Sequence, residues 1–256
     1  MYNYGIDIGS RYTKLCLLNS DNNSLVWLGS CLTDVSPLNS AQDLYNRMLQ
    51  ESRVPESQIT SSCATGYGRH LFKLTGKTLS EISCHAAGVR FHFAEAATVI
   101  DIGGQDSKII SLTPAGKIDD FVMNDKCAAG TGRFLEMTAI RLGIDINELS
   151  TIAQAATIDL MLSSTCVVFA ESEIIGMMAA NASSENIARA VHLSIARRIH
   201  SQMAALPCRA PVIFTGGLAR SADLGMCLEK ILDTKVLACP QPEYSGAIGA
   251  ALLADK

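Results

Sequence analysis

The chain has 256 residues, of which 48% are hydrophobic, so it is long enough to fold around one large core or two smaller ones. Lysine and arginine number 21 against 25 aspartate and glutamate residues, which gives a net charge of −4 without a basic cluster. This balance argues against nucleic acid or an anionic membrane surface as a partner and favours small partners.

Targeting signals and cysteine spacing bear on where the chain works. Its beginning carries no charged segment followed by an apolar one, and no uninterrupted apolar stretch reaches about 18 residues. We therefore expect a cytoplasmic protein without a membrane-spanning segment. The nine cysteines lack the compact, even spacing of small secreted domains. They are predicted to be reduced thiols, unless a few of them hold a metal.

Apolar runs separated by polar turns predict the order of strands and helices. In the first half, strands are predicted at YGIDI, KLCLL and SLVWL. The segment SAQDLYNRMLQ is predicted to be helical, because Leu44 and Met48 share one face with their neighbours Tyr45 and Leu49. The second half repeats the order, with strands at TVIDI, SKIISL and FVM and helices at RFLEMTAIRLG and over 183–206. The pattern indicates an α/β fold.

One phrase occurs twice in the chain. Residues 4–16 read YGIDIGSRYTKLC and residues 98–110 read TVIDIGGQDSKII. Each copy runs from an apolar strand through Asp-Ile-Gly to a Lys seven residues after the Asp. The copies lie roughly a hundred residues apart, which is too long for a solenoid repeat and suits two related lobes. We therefore expect a duplicated fold.

The two Asp-Ile-Gly loops have the chemistry of a phosphate site. A strand ending in Asp7 or Asp101 presents a carboxylate at the edge of a sheet, and the following glycine lets the backbone approach an anion. Two such loops can face each other across a phosphate chain, with both carboxylates holding Mg²⁺. Possible side-chain donors to phosphate are Ser10, Thr13, Lys14, Gln105, Ser107 and Lys108. The alternative is that each loop is an ordinary β-turn, where Gly and Asp are common.

A third glycine segment favours a nucleotide. Residues 211–221 read PVIFTGGLARS, which predicts a strand running into Gly216 and Gly217 and then a helical segment. Backbone of this kind can lie flat against an adenosine. The segment is a weak signal alone, because strand–glycine–helix junctions are common in α/β proteins. The pattern G-x-x-x-x-G-K-[ST] does not occur, which excludes a P-loop.

The order of these motifs resembles a known superfamily. DIGSRYTK, DIGGQDSK and FTGGLARS resemble the two phosphate motifs and the adenosine motif of the actin-like ATPases. More narrowly, ATGYGR, EISCHAAG, NDKCAAGTGRFLE and CVVFAESEI resemble activators of 2-hydroxyacyl-CoA dehydratases, which are relatives of the ATPase subunits of benzoyl-CoA reductase. The resemblance covers nearly the whole chain. It implies a duplicated actin-like, ribonuclease-H-like ATPase fold with two lobes and the nucleotide in the cleft.

The resemblance also implies where the lobes divide and which residues bind the nucleotide. The first lobe would comprise residues 1–97 and 240–256, and the second, residues 98–239, would carry the cluster ligands. Asp7, Asp101 and Gln105 are expected to be catalytic, with Gln105 or Asp106 orienting the attacking water beside the γ-phosphate. The implied binding residues for ATP or ADP are Gly9, Ser10, Arg11, Tyr12, Thr13, Lys14, Gly103, Gly104, Gln105, Asp106, Gly130, Thr131, Gly216 and Gly217.

The function that the resemblance implies is an ATP-driven electron donor. Members of the family form homodimers with one [4Fe-4S] cluster between the subunits, and ATP turnover passes a low-potential electron to a separate dehydratase or reductase. An upstream donor such as ferredoxin or flavodoxin is expected. By motif, the ligands are Cys127 and Cys166. The residues alone are compatible with this, since a cluster needs four thiolates and the sequence has no compact C-x-x-C run. Two chains giving two thiolates each would suffice.

These assignments have alternatives. An isolated cysteine is usually a small buried hydrophobe, and this is the prediction for Cys16, Cys31, Cys63, Cys208, Cys227 and Cys239. Cys84 and His85 complete no zinc spacing and are predicted to be structural or interfacial. The alternative function is a small-molecule kinase of the same fold, similar to pantothenate kinase. Such an enzyme needs a base near the γ-phosphate but no cluster.

Overall fold

The computed structural model describes residues 1–163 and 166–256, which form two compact units. The first unit comprises Met1–Ala96 and Pro240–Lys256, and the second comprises Ala97–Cys239. Each unit contains a five-stranded sheet. None of the helices in these two ranges combines the length and the apolar character that a membrane span requires.

Each unit begins with three consecutive strands, which are followed by helices and two further strands. The strands are β1 (Tyr2–Ile8), β2 (Tyr12–Asn19), β3 (Leu25–Leu32), β4 (Ile59–Thr65), β5 (Lys77–Thr78), β6 (Thr98–Ile102), β7 (Ser107–Leu112), β8 (Ile118–Asn124), β9 (Val212–Thr215) and β10 (Val236–Ala238). The helices are α1 (Pro37–Ser52), α2 (Glu81–His92), α3 (Gly132–Leu142), α4 (Leu149–Gln154), α5 (Val167–Ala179), α6 (Ser184–Met203), α7 (Ala222–Leu232) and α8 (Ser245–Leu252).

The two sheets have the same topology. In the first unit the strand order is β3-β2-β1-β4-β5, and in the second it is β8-β7-β6-β9-β10. The strand β1 has an antiparallel neighbour in β2 and a parallel neighbour in β4. The strand β6 has the same two relationships with β7 and β9. The duplication predicted from the repeated phrase is therefore present in the order and direction of the strands.

The sheet of the first unit is covered on both faces. Alternate residues of β1 point to opposite faces, and Ile6 packs in the same buried cluster as Leu44 and Met48 of α1. On the other face Gly5 meets α8, where a Cβ at position 5 would lie 2.2 Å from the carbonyl oxygen of Ala247. This close approach fixes the end of β1 between two layers of helix.

The second unit is built around α6. Val191 and Ile195 of this helix are buried in one cluster with Ile100 of β6 and Phe214 of β9. The two central strands of the sheet are therefore held from one side by a long helix. Each strand is followed directly by a glycine, and their carboxyl-terminal ends lie side by side because β6 and β9 are parallel.

The strands and helices predicted from periodicity are confirmed. The seven predicted strands lie in β1, β2, β3, β6, β7, β8 and β9, and the predicted helices lie in α1, α3 and α6. Leu44, Tyr45 and Met48 are buried as predicted, while Leu49 is partly buried. The strand β4 is not predicted, because its sequence ITSSCAT contains no continuous apolar run, although its second half is buried.

Candidate functional site

Asp7 lies at the carboxyl-terminal end of β1 between two polar partners. It is opposite Lys14 of the antiparallel strand β2 and opposite Thr65 of the parallel strand β4. Lys14 Nζ is 3.6 Å from Asp7 Oδ2, and only 5% of Asp7 is exposed. A buried charge is costly without a partner of opposite sign, and Lys14 supplies that partner.

Asp101 repeats this arrangement in the second unit. It is opposite Lys108 of β7 and opposite Thr215 of β9. Lys108 Nζ lies 3.2 Å from Asp101 Oδ2 and 2.5 Å from Asp106 Oδ2, and the lysine is 1% exposed. One ammonium group therefore contacts two carboxylates, so the trio has a net negative charge. Such a group attracts a further cation.

Several of the predicted phosphate donors have partners inside the protein. Thr13 is fully buried, and its hydroxyl lies 3.0 Å from the hydroxyl of Thr33. Ser107 is also buried, 3.3 Å from Gln202 Oε1. Lys108 contacts two carboxylates. The predicted residues whose side chains are exposed are Ser10, Arg11, Tyr12 and Gln105. A ligand approaching the first loop would therefore meet Ser10, Arg11 and Tyr12, and one approaching the second loop would meet Gln105, in each case together with the loop backbone.

Each aspartate is followed by a tight turn. Gly9 donates its N–H to the carbonyl of Tyr12 at 3.1 Å, and Gly103 donates to the carbonyl of Asp106 at 2.9 Å. A Cβ on Gly103 would lie 2.5 Å from Asp106 Oδ1, so a side chain at this position would have to displace the Asp106 carboxylate. The turns expose short stretches of backbone directly after the buried carboxylates.

A glycine in the left-handed conformation lies against each aspartate. Gly66 follows β4 with φ of +89°, and Gly216 follows β9 with φ of +85°. A Cβ would lie 2.5 Å from Asp7 Oδ1 at the first position and 2.6 Å from Asp101 Oδ1 at the second. Only glycine fits there. The predicted site includes Gly216 but not Gly66, although the Thr-Gly pair occurs in both ATGYGR and FTGGLARS and is the signal that identifies it.

The second turn is hydrogen-bonded to the beginning of α3. Gly132 donates its N–H to the carbonyl of Gly103 at 2.9 Å, and Arg133 donates to the carbonyl of Gly104 at 2.9 Å. A Cβ on Gly132 would lie 3.2 Å from Gly104 Cα and 3.3 Å from Leu218 Cδ1. The start of α3 thus packs both on the turn that contains Gly103 and Gly104 and on the segment that follows Gly216. A change in the conformation of either segment would therefore affect the position of this helix.

Cys127 lies in the loop between β8 and α3, and Asn124 fixes its backbone. Asn124 Oδ1 accepts from the N–H of Cys127 at 3.3 Å, and Asn124 Nδ2 donates to its carbonyl at 3.0 Å. The cysteine is partly exposed, and its sulfur lies 3.7 Å from Arg198 Nη1. Gly130, three residues further on, has φ of +110°, and Thr131 is fully buried. The loop between Cys127 and α3 is therefore short and closely packed.

Cys166 immediately precedes α5 and is partly exposed. It follows residues 164 and 165, which lie outside the described ranges. The two residues after Val167 present apolar side chains to solvent, since Val168 is 67% and Phe169 is 69% exposed. An apolar surface therefore adjoins the second predicted cluster ligand.

The remaining cysteines differ in exposure. Cys16, Cys63, Cys84, Cys227 and Cys239 are buried, Cys31 is partly buried and Cys208 is exposed. Burial raises the pKa of Cys227 to about 12, because apolar surroundings disfavour the thiolate. The prediction of buried hydrophobes is confirmed for Cys16, Cys63, Cys227 and Cys239. It is wrong for Cys208, which lies beyond the end of α6 in an exposed segment.

His85 is buried in α2 and lies near the same glycine of α8 as Asp7. The helices α2 and α8 pack so closely that a Cβ on Gly249 would lie 1.7 Å from the carbonyl oxygen of Cys84. A Cβ on Gly246 would lie 2.9 Å from Asp7 Oδ2 and 3.1 Å from His85 Nε2. Gly246 therefore lies close to both side chains, and a larger residue at this position would crowd both of them. Sequence spacing gives no sign of this proximity.

Comparison with known proteins agrees with this geometry. The profile of the BadF/BadG/BcrA/BcrD ATPase family matches residues 4–254. The chain belongs to this family. The activator of lactoyl-CoA dehydratase from Anaerotignum propionicum is 41% identical to it over 255 residues, which cover 99% of this chain and 97% of that protein. The family match includes both aspartate turns, the segment after β9 and both predicted cluster ligands.

Two solved structures resemble the whole chain. The activator of the 2-hydroxyisocaproyl-CoA dehydratase from Clostridium difficile, with bound ADPNP, has a TM-score of 0.94 at 36% identity and covers 99% of this chain and 94% of that chain. Component A of the Acidaminococcus fermentans (R)-2-hydroxyglutaryl-CoA dehydratase has a TM-score of 0.93 at 35% identity and covers 99% and 97%. The family and the actin-like ATPase fold predicted from the motifs are confirmed.

Proposed function

We propose that this protein is an ATP-dependent electron-transfer activator. It would hydrolyse ATP and pass a low-potential electron from a [4Fe-4S] cluster to a separate 2-hydroxyacyl-CoA dehydratase-like or reductase component. The electron would come from a donor such as ferredoxin or flavodoxin. The observation that carries the proposal is that two partly exposed cysteines, Cys127 and Cys166, occur in a chain whose full-length relatives are named as dehydratase activators.

Binding of ATP and ADP is supported by the aspartate turns. In the second unit, the carboxylates of Asp101 and Asp106 outnumber the ammonium group of Lys108, so a magnesium ion would be attracted there. Magnesium takes one or two carboxylates together with phosphate oxygens and water. Asp7 has the same strand position in the first unit and would serve in the same way. Gln105 is exposed in the second turn and is our candidate for orienting the attacking water.

The thiols fit an iron–sulfur cluster in chemistry, and one chain supplies half of the ligands. Cysteine thiolates are the usual ligands of such clusters. Cys127 and Cys166 are partly exposed, and the guanidinium group of Arg198 lies beside the sulfur of Cys127. In the part of the chain that the structure describes, no group of three or more His, Cys, Asp and Glu side chains could hold a metal ion. A cluster would therefore need thiolates from a second chain.

A homodimer would complete the ligand set. Two-fold symmetry presents the same surface twice, so two cysteines per chain become four at the axis. The helix that follows Cys166 supports an interface, because it exposes four large apolar side chains. Their exposed fractions are 67% for Val168, 69% for Phe169, 48% for Ile175 and 40% for Met178. An exposed apolar surface of this kind is stabilised by burial against a partner.

The absorption spectrum of anaerobically purified protein tests the proposal. We expect a brown protein whose broad visible absorption decreases on reduction, and electron transfer to a dehydratase component only when ATP is supplied. A colourless protein that transfers the γ-phosphate of ATP to a small alcohol would instead support the kinase alternative. Protein isolated in air would not serve, because a cluster shared between subunits is accessible to oxygen.

A further inference from the structure

The side chain of Arg198 is held against the loop that carries Cys127. Arg198 lies in α6, and its aliphatic stem passes under Gly130, where a Cβ would be 2.7 Å from Arg198 Cδ. Gly130 has φ of +110°, so the loop backbone adopts a conformation that favours glycine and leaves room for the stem. Packing against Gly130 therefore holds the aliphatic stem in place, independently of the contact that the guanidinium group makes.

The guanidinium group ends at the sulfur of Cys127. Arg198 Nη1 is 3.7 Å from Cys127 Sγ, a hydrogen-bond distance for an atom as large as sulfur. Asn124 holds the backbone of the same cysteine through two hydrogen bonds. The position of the sulfur is therefore determined from two sides, by Asn124 through the main chain and by Arg198 through the side chain. An arginine keeps its charge in proteins, so the sulfur always faces a positive donor.

We propose that Arg198 is a positioning residue for the Cys127 sulfur and that its hydrogen bond sets how readily the bound cluster accepts an electron. The inference rests on the proposed function, because it takes Cys127 as a cluster ligand. Hydrogen bonds to ligand sulfurs and nearby charge are among the protein's means of tuning the potential of such a cluster. A cationic donor stabilises the reduced cluster more than the oxidised one, because the reduced cluster is more negative. Loss of Arg198 should therefore make the cluster harder to reduce.

Three variants separate this role from simple packing. Arg198→Met removes the charge and the donor while keeping a stem of similar length under Gly130. Arg198→Lys retains the charge and a donor. Arg197→Met is the matched control, because Arg197 is the adjacent residue of α6 and lines the same cavity of about 310 Å³ as Arg198. All three are made in the whole protein and reconstituted anaerobically with iron and sulfide.

The readout is the equilibrium between reduced and oxidised cluster, followed by absorption and electron paramagnetic resonance during a mediated redox titration. At the midpoint potential of the wild-type protein, the ratio of reduced to oxidised cluster should fall about fivefold or more in Arg198→Met. Arg198→Lys should recover part of this loss, and Arg197→Met should match the wild type. A purely structural role would not give partial recovery with lysine, so this variant also keeps the test decisive if the methionine variant folds poorly.

The outcomes distinguish this inference from the proposed function. If the wild-type protein holds a cluster and Arg198→Met leaves the ratio unchanged, the role of Arg198 is overturned and the proposed function stands. Equal effects of Arg197→Met and Arg198→Met would also overturn it, because the contact with Cys127 would then be irrelevant. If the wild-type protein takes up no cluster, the proposed function and this inference both fail.

Discussion

Lys108 and Asp101 face each other across neighbouring antiparallel strands and form an ion pair of 3.2 Å in which both side chains are only 2% exposed. Lys14 and Asp7 have the same register in the first unit, at 3.6 Å. In both units the pair lies where a strand ends and a glycine turn begins. Because a buried ion pair is costly to break by removing one partner, these contacts also fix the geometry of the two turns.

Replacing either aspartate by asparagine should abolish most ATP turnover. Asp7→Asn and Asp101→Asn remove the charge proposed to hold Mg²⁺, and metal clamping contributes several kcal/mol to phosphoryl transfer. We expect hydrolysis to fall by about a hundredfold or more in each variant. Steady-state ATPase assays measure this, with Asp255→Asn at an exposed position as the control. Near-normal hydrolysis in both variants would show that the assignment is wrong.

Gly216 and its neighbour Gly217 should respond differently to the same substitution. A Cβ on Gly216 would lie 2.4 Å from the carbonyl oxygen of Ile102 on a backbone with φ of +85°, whereas a Cβ on Gly217 would meet no atom within 4 Å among the described residues. Gly216→Ala should lower the free energy of unfolding by more than about 1 kcal/mol, while Gly217→Ala should change it little. Urea denaturation measures the free energy of unfolding of the two variants. Equal destabilisation would contradict the predicted steric overlap between a Cβ at position 216 and the carbonyl oxygen of Ile102.

Nucleotide should change the accessibility of the proposed cluster. The turn at Gly103 and Gly104 is hydrogen-bonded to the start of α3, a few residues after Cys127. A phosphate bound at the turn would therefore change the conformation of the loop between Cys127 and α3. Iron release to a chelator should therefore proceed at different rates without nucleotide, with ADP and with ATP. In Gly132→Ala, whose Cβ would crowd Gly104 Cα at 3.2 Å, the differences should be smaller. Identical rates in all three states of the wild-type protein would exclude the coupling.

His92 should make the protein less stable in mild acid. Burial lowers the pKa of His92 below its usual 6.5, and its Nε2 is buried without a hydrogen-bond partner among the described residues. The unfolded chain therefore binds a proton at a higher pH than the folded chain does. The stability is full above pH 6.5 and is lost as the pH falls through the lowered pKa. The urea midpoint of the wild type should therefore fall further between about pH 7.5 and about pH 5.5 than that of His92→Gln, and an equal or smaller fall in the wild type would refute this.

The sequence predicts the part of the site that lies on apolar strands. Asp7 and Asp101 end strands with clear alternation or continuous apolar runs, so both the strands and the turns after them are recognisable. The repeated phrase also predicts the duplicated topology. These features depend on local pattern, which a single sequence contains.

The contacts that the sequence does not predict are made by distant segments. The strand β4 has a polar sequence, so Gly66 is not recognised as the counterpart of Gly216, although both glycines lie against an aspartate. The pairing of Lys108 with Asp106, and the contact of Arg198 with Cys127, depend on side-chain direction across a turn and between a helix and a loop. No periodicity reports such contacts, because they are fixed by tertiary packing.

The iron and sulfide content of anaerobically purified protein, determined together with its mass in solution, tests whether two chains share one cluster. We predict about four irons for every two chains, a dimeric mass, and loss of the iron in both Cys127→Ser and Cys166→Ser. Cys208→Ser, at an exposed cysteine, should retain the full iron content. Four irons in each single chain, or full iron content in Cys166→Ser, would contradict a cluster held by two cysteines from each of two chains.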